Sequence, residues 1–366
     1  MGRGERMAKR SEFVFSGDRR EHRVRRFFLK LLLSLLLLIA VIAMANMVVS
    51  RQVRYTSQSI TVPDLADDLE NWTILHLSDL HGERFGTAQS GISTAIGTVN
   101  VSSVVMTGDM VGKGGDVEPL LELLALLPSD KPKLLLMGDE DPDYLDPTAH
   151  GSLSPLADWA QTLVDAGVTI LDEPILFTRG TKDQARIWFI PAYLYTLDLD
   201  SLASSYQGQL ARLEAKGTLT ADDAAAKRVA QYQVERVERI RAAIADMKDT
   251  DTQIAVSHAP VTQSAMSDAL LMDSRSKVFS LRQADLILAG HYCAGQVRLP
   301  GLGAVYVPGL GSFPSDALIT GYSYVGSVPQ YISPGLGTSS VYGWWQSFRF
   351  LDPPTVTLVT LTARVR

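Results

Sequence analysis

The stretch WTILHLSDLHG, residues 72–82, decides how this chain folds. Its first part, 72–77, is apolar with aromatic and β-branched side chains, which predicts a short buried β-strand. Ser78 marks where that strand opens into a loop. A strand that leaves a sheet directs the next side chains along fixed lines, so Asp79 and His81 can converge on one cation. The pattern is weak on its own, because Asp-x-His also occurs in many solvated turns.

Four more short apolar runs end in residues of the same chemical type. Each run predicts a strand whose carboxyl end carries acids or histidines. Ligand sites of α/β proteins lie outside the carboxyl ends of the strands, so these side chains are expected to meet at one edge. The runs and the residues that follow them are 103–106 with Gly108-Asp109, 133–137 with Gly138-Asp139-Glu140-Asp141, 253–256 with His258, and 285–289 with Gly290-His291-Tyr292-Cys293.

Together these motifs resemble the calcineurin-like metallophosphoesterases, whose signature is Asp-x-His, Gly-Asp, Gly-Asn-His-Asp/Glu, a lone His and Gly-His-x-His. The likeness runs from Trp72 to the C-terminus. Two later segments, AGQVRLP (294–300) and YISPGLGTS (331–339), look like the membrane-anchored bacterial branch of that family. The resemblance implies an α/β fold, a sandwich of two mixed β-sheets flanked by helices. It also implies phosphodiester hydrolysis or cleavage of UDP-linked lipid precursors, both known in that branch.

The resemblance further implies two divalent metal ions that activate a water. Asp109 would bridge the two ions with its carboxylate. The other ligands would be Asp79, His81 and Cys293 for the first ion, and Asp139, His258 and His291 for the second.

Three of these positions depart from the family signature. Asp139 replaces Asn, which keeps an oxygen ligand and adds a negative charge. Cys293 replaces the final His with a softer thiolate, which favours Zn²⁺ or Fe²⁺ over Mn²⁺. Glu140 replaces the His that contacts the scissile phosphate, and a carboxylate can protonate a leaving group only when it is itself protonated. Glu140 and Asp109 are the candidate catalytic residues.

The charge of the chain is unevenly distributed. Residues 1–30 contain ten Lys or Arg against four Asp or Glu, so the overall charge of −6 leaves −12 on residues 31–366. An acidic body argues against a nucleic-acid partner, which requires a basic face.

Residues 31–50 form a predicted single-pass transmembrane anchor, since Leu31 to Val49 contains no charge and can cross a bilayer. The basic tail before it, 1–30, predicts a cytoplasmic N-terminus and an extracytoplasmic domain in the cell membrane. The stretch VRRFFLK, 24–30, resembles a twin-arginine export signal, although an ordinary basic cluster explains it equally well. The absence of a polar region before residue 49 favours a retained anchor over cleavage.

Beyond the anchor, residues 51–71 predict a polar spacer and residues 72–366 the phosphoesterase domain. Helical periodicity predicts an insertion, 197–252, with helices at 202–216 and 221–247. This insertion can pack on the flank of the domain, cover the site as a lid, contact lipid or bind a partner. Within the domain His76 is expected to be a core residue, whereas Trp344 and Trp345 suit either the core or an interfacial anchor.

The sequence therefore predicts a membrane-tethered, metal-dependent phosphodiesterase or pyrophosphatase that acts outside the cytoplasm on a phosphorylated envelope or lipid-linked substrate. The alternative is a degenerate phosphoesterase that binds metal and a phosphorylated ligand without cleaving it. A third hypothesis is a structural membrane protein whose helical insertion is a partner surface. Metal identity among Zn, Fe and Mn stays open at this stage.

Overall fold

The chain is described by a computed structural model that divides into two compact units, Met1–Val49 and Ser50–Arg366. In the first unit, α1 (Ser16–Val49) includes the second half of the predicted tail. Its stretch Arg23–Val49 is long and apolar enough to cross a membrane, a property that signal sequences share. Trp344 and Trp345 lie outside the described residues, which are 16–112, 114–148, 153–180, 185–271, 278–339, 342–343 and 347–363.

The first sheet of the second unit contains six strands in the order β1-β16-β2-β3-β4-β5. Strands β2 to β5 are parallel, β16 runs antiparallel to β2, and β1 runs parallel to β16. The strands are β1 (Arg54–Thr61), β2 (Thr73–Leu77), β3 (Ser103–Met106), β4 (Lys133–Leu135), β5 (Val168–Ile170) and β16 (Thr355–Thr362).

The second sheet also contains six strands, in the order β14-β15-β9-β8-β7-β6. Its four central strands are parallel and its two edge strands are antiparallel to their neighbours. The strands are β6 (Ile175–Arg179), β7 (Ala185–Pro191), β8 (Thr252–Val256), β9 (Leu286–Ala289), β14 (Gly321–Val325) and β15 (Val328–Ile332). Two short hairpins lie between β9 and β14, formed by β10 (Arg298–Leu299), β11 (Gly303–Ala304), β12 (Tyr306–Val307) and β13 (Gly311–Ser312).

The two sheets pack face to face with helices on their outer sides. Side chains alternate between the faces of a strand, so Ile74 of β2 faces the second sheet while Leu75 faces the helices. In β8, Ile254 likewise faces the first sheet, while Ala255 faces the helices. The helices on the first sheet are α2 (Ser90–Ile96), α3 (Glu118–Leu124) and α4 (Asp158–Asp165), and those on the second are α5 (Leu199–Glu214), α6 (Ala221–Asp246) and α7 (Gln263–Leu271). The domain is thus the predicted α/β sandwich of two mixed sheets.

The spacer predicted for residues 51–71 is wrong from residue 54 onwards, and Val62, Leu65 and Leu69 are buried in the core between the sheets. Residues 54–61 form β1, which pairs with β16 along its whole length. The strand lies at the edge of the sheet and is mostly exposed, so its sequence RYTSQSIT lacks the apolar alternation that marks a strand. Backbone hydrogen bonds to β16 define this element, and the residue sequence of β1 gives little sign of them.

The helical insertion lies against the second sheet. A capping box formed by Thr220 and Asp223 fixes the start of α6. Val237 and Ile240 of α6 are fully buried in the core of that sheet. The guanidinium group of Arg236 is also buried and donates to the carbonyl oxygen of Asp172 at 2.8 Å. These contacts agree with a helical pair packed on the flank of the domain.

Candidate metal centre

Six of the seven predicted metal ligands and Glu140 meet where the carboxyl ends of strands from both sheets come together, and the seventh, Asp139, lies beside them with 71% of its side chain exposed. Three overlapping groups each place their ligand atoms within 4.8 Å of one another. Asp79 and His81 come from the loop after β2, and Asp109 from the loop after β3. The groups are Asp79, His81 and Cys293; Asp109, His258 and His291; and His81, Asp109 and Glu140.

The first group combines oxygen, nitrogen and sulfur donors. The Sγ atom of Cys293 lies 3.9 Å from Nε2 of His81, and that nitrogen lies 3.9 Å from Oδ2 of Asp109. Zinc ligands bind at about 2.0–2.3 Å, which places neighbouring ligand atoms of one tetrahedral ion roughly 3.3–3.8 Å apart. The spacing and the donor types of this group therefore fit a divalent transition metal.

The second group contains two imidazoles and one carboxylate, and the carboxylate of Asp139 lies next to it. Nε2 of His258 lies 3.2 Å from Oδ2 of Asp109 and 3.1 Å from Nδ1 of His291. The same nitrogen of His291 lies 3.7 Å from Oδ2 of Asp139. Nδ1 of His258 faces the carbonyl oxygen of Thr107 at 2.8 Å, which fixes its proton there and leaves Nε2 to bind a metal.

Asp109 lies between the two groups. Its Oδ2 atom faces His81 on one side and His258 on the other. Its Oδ1 atom accepts the backbone N–H of Glu140 at 2.8 Å. This is the position that a bridging carboxylate would need.

Burial and mutual contact change the pKa values of the site in the metal-free protein. Burial raises the pKa of Asp79 and, together with Asp79, raises that of Cys293. Burial alone would lower the pKa of His258, but hydrogen bonding to Asp109 and the charges of both carboxylates raise it to about 9. That bond from His258 also lowers the pKa of Asp109 despite its burial.

The backbone at the site adopts a conformation that L-residues seldom use. Asp79, His81, Asp109, His291 and Cys293 have φ angles of 54°, 50°, 53°, 78° and 46°. Such strain persists only where the surroundings hold it, and it clusters at functional sites.

The carboxylate of Asp141 holds one of these loops. It accepts backbone N–H groups from Asp109, Val111 and Gly138 at 2.8–2.9 Å. A Cβ on Gly138 would lie 2.2 Å from Oδ1 of Asp109, so the loop requires glycine there. Sequence reasoning gave Asp141 no role, although its place in the Gly-Asp-Glu-Asp motif was a usable signal.

The Gly-Leu-Gly-Thr-Ser segment, residues 335–339, also belongs to the site. From the sequence alone, this segment indicates only a likeness to one branch of the family. The N–H of Gly337 donates to the carbonyl oxygen of Asp79 at 2.6 Å. The N–H of Ser339 donates to Oε1 of Gln296 at 2.7 Å, and its hydroxyl donates to Oε1 of Glu140. This segment therefore joins the loops that carry Asp79, Cys293 and Glu140.

Glu140 faces the interior of the site. Its Oε2 atom lies 3.9 Å from Nδ1 of His81, and its side chain is 14% exposed. His76, in contrast, is a core residue: its Nε2 atom lies 3.0 Å from the hydroxyl of Thr107, and burial lowers its pKa to about 3.

Comparison with known proteins identifies the family. The calcineurin-like phosphoesterase family matches residues 73–295. Among solved structures, a phosphopantetheinyl hydrolase from Mycobacterium tuberculosis matches at 14% sequence identity with a TM-score of 0.35, over 73% of this chain and 91% of that chain. No curated protein sequence matches the chain. Because the family match spans more than half of the 366 residues, the chain belongs to the calcineurin-like phosphoesterases and is a metal-dependent phosphoester hydrolase.

Proposed function

We propose that this protein is a membrane-anchored, extracytoplasmic phosphodiesterase or pyrophosphatase with a two-metal centre. The observation that supports this most directly is the position of Asp109, whose Oδ2 atom faces both His81 and His258. Two ligand groups with one carboxylate between them suit a pair of ions better than a single ion. The proposed substrate is a phosphodiester or pyrophosphate of the cell envelope or of a membrane lipid.

Each proposed ion has its own set of residues. When bound, two dications would lower the pKa of a water and neutralise charge on the phosphoryl oxygens. The thiolate of Cys293 favours zinc or iron at the first position, with manganese less suited. The proposed ligands are Asp79, His81, Asp109 and Cys293 for the first ion, and Asp109, Asp139, His258 and His291 for the second.

Glu140 is the proposed general acid. It stands where the family signature has His, and its backbone N–H is fixed by Asp109. Ser339 donates to Oε1, so the proton that a leaving group needs would be carried by Oε2, the oxygen on the side of His81. A carboxyl group held 3.9 Å from the ring of His81 can protonate the oxygen of a leaving group bound at the metal centre.

The second candidate function is a binding module that holds metal and a phosphorylated ligand without turnover. The hydrogen bond from Ser339 to Glu140 favours it, because a donated hydrogen bond stabilises the carboxylate over the acid. A permanently ionised Glu140 could bind but not protonate a leaving group.

The proposal of a membrane anchor is based on α1 and on the charges in the sequence around it. An apolar stretch long enough to cross a bilayer follows ten basic residues in the first 30. This arrangement would hold the N-terminus in the cytoplasm and the domain outside, with twin-arginine export as one route across.

The test is metal content and turnover of the full chain in detergent. Metal-depleted protein is reloaded with Zn²⁺, Fe²⁺ or Mn²⁺ and assayed on bis(4-nitrophenyl) phosphate. We expect two ions per chain with turnover in the wild type, and loss of both in Asp109→Ala. Asp130→Ala, which changes an exposed aspartate, is the control. Two bound ions without turnover on diesters or pyrophosphates, for every metal, would establish the binding module instead.

A further inference from the structure

The chain enters the catalytic domain beside the segment 349–354. Ser50, the residue after α1, donates its hydroxyl to the carbonyl oxygen of Arg349 at 2.9 Å. The N–H of Arg54 donates to the carbonyl oxygen of Pro354 at 2.8 Å. Consecutive Cα atoms are about 3.8 Å apart, and only a few residues separate the end of the apolar helix from this segment. If that helix crosses a bilayer, the bilayer surface would therefore lie a short length of chain away from this segment.

Exposed apolar side chains surround that entry point. We define the hairpin patch as five residues of the two short hairpins and the segment before β16. Their exposed fractions are 36% to 63%. Four of them line one concavity of about 680 Å³, and Arg298 joins this region to Phe350 by a backbone hydrogen bond of 3.0 Å. The patch consists of Leu299, Leu302, Phe313, Phe348 and Leu351.

The surrounding sequence has few charges for a surface in contact with water. Only three of the 55 residues from 297 to 351 are charged. Arg298 pairs with Asp316 at 2.7 Å, and the buried Arg349 pairs with Asp352 at 2.8 Å. Apolar surface with so little charge marks a protein or membrane contact.

Two residues of the patch adopt a strained backbone. Phe313 and Leu351 have φ angles of 51° and 55°. A bulky side chain in this left-handed region is strained. Here the strain holds apolar side chains in an exposed position, where hydration is also unfavourable. A contact that removes these side chains from water would offset both penalties.

The bilayer is the partner that the covalent structure places nearest. Arg51, just after the apolar helix, and Arg54, the first residue of β1, are exposed where cations can meet lipid phosphates. We propose that the hairpin patch rests on the outer leaflet, so that the catalytic domain docks against the membrane. This inference rests on the membrane anchorage in the proposed function.

The same topology brings the metal centre to that surface. Strand β16 runs antiparallel to β2, so its start lies at the edge where Asp79 follows β2. Strand β1 runs parallel to β16 and therefore begins at that edge too. Arg298 also connects the hairpins to the metal centre, because its guanidinium group donates to the carbonyl oxygen of Ala294, next to Cys293. Docking would present the site to phosphates that are carried by membrane lipids.

Photo-crosslinking of the full chain tests the contact. Phe313→p-benzoylphenylalanine is reconstituted in vesicles of phosphatidylcholine and phosphatidylglycerol, irradiated and analysed by mass spectrometry. The control is Leu126→p-benzoylphenylalanine. Leu126 is exposed, and it follows α3 at the end of the first sheet where the parallel strands begin, away from Asp109. We expect several-fold more lipid adduct at position 313 than at position 126. Equal yields, or adducts to a second protein chain at position 313, would overturn the inference.

A second measurement separates docking from catalysis. The double variant Leu302→Asp with Phe313→Asp is compared with Leu126→Asp. We expect several-fold slower hydrolysis of a nitrophenyl dodecyl phosphodiester embedded in vesicles, with bis(4-nitrophenyl) phosphate turnover in solution unchanged. Unchanged rates on both substrates would contradict docking. Absence of metal-dependent turnover in the wild type would count against the proposed function alone, because adduct formation requires no catalysis.

Discussion

The hydroxyl of Ser339 donates a hydrogen bond to Oε1 of Glu140, across 199 positions of the sequence. Glu140 in turn lies beside His81, a proposed ligand of the first ion. Partners of metal ligands orient them, and their removal typically lowers metal affinity 10- to 100-fold. The hydrogen bond thus links the C-terminal segment to the metal centre.

Removal of this hydroxyl should weaken the first metal site. We expect Ser339→Ala to lower the affinity for the first ion by roughly tenfold. Ser339→Thr keeps a hydroxyl and should restore most of the affinity, while Ser315→Ala at an exposed serine should change nothing. Competition with a chromogenic chelator measures each affinity. Equal affinities for the wild type and Ser339→Ala would show that the hydrogen bond has no role in metal binding.

Glu140→Gln tests the general acid through the leaving group. Glutamine keeps an acceptor for Ser339 but cannot deliver a proton. General acid catalysis contributes about 10²- to 10⁴-fold, so an alkyl diester should lose turnover by this order. A nitrophenyl diester, whose leaving group departs without protonation, should lose much less. The measurement is kcat on both esters; equal losses on the two would assign Glu140 a positioning role only.

Cobalt substitution tests ligation by Cys293 without reference to activity. The thiol is buried, and burial raises its pKa, so only a bound cation would hold it as thiolate at neutral pH. We expect the cobalt-loaded wild type to show a thiolate-to-cobalt charge-transfer band in the near ultraviolet. Cys293→Ser should lack the band, and Cys293→His should shift metal preference from zinc towards manganese. An identical band in Cys293→Ser would exclude the thiolate as a ligand.

The sequence predicted the strands that carry the site because their signals are local. An apolar run that ends in an acid or histidine is visible at β2 and β3. Edge strand β1 was missed, since its residues are polar and only pairing with β16 defines it. Helix α2 is short, because Gln89 and Gly97 at its two ends take positive φ angles of 54° and 58°.

The contacts that support the ligands were harder to predict than the ligands themselves. Asp79 and His81 stand out by their chemical type and their place after a strand. The hydrogen bonds of Ser339 and Gln296 join segments 43 residues apart, and no sequence period reports such a pairing. Asp141 binds three backbone N–H groups, which depends on how the loop folds back.

The stability of the domain should depend on pH through Asp285. Burial, with a smaller contribution from the charge of Asp64, raises the pKa of this carboxyl to about 6. The folded protein therefore binds this proton more tightly than the unfolded chain, whose aspartate pKa is about 3.9. Ionisation of the buried carboxyl therefore lowers the free energy of unfolding. This loss of stability is absent below about pH 4, grows between about pH 4 and pH 6, and is constant above pH 6.

Asp285→Asn should remove this loss while it keeps an oxygen that accepts the N–H of Gln253, a bond of 2.8 Å in the wild type. We expect the variant to be more stable at pH 7.5, by about 3 kcal/mol, and no more stable at pH 4. Urea unfolding followed by circular dichroism at both pH values measures the difference, with the exposed Asp249→Asn as control. A stability gain of equal size at pH 4 and pH 7.5 would show that titration of Asp285 is not its cause. A loss at both would show that the hydrogen bond to Gln253 outweighs the cost of the buried charge.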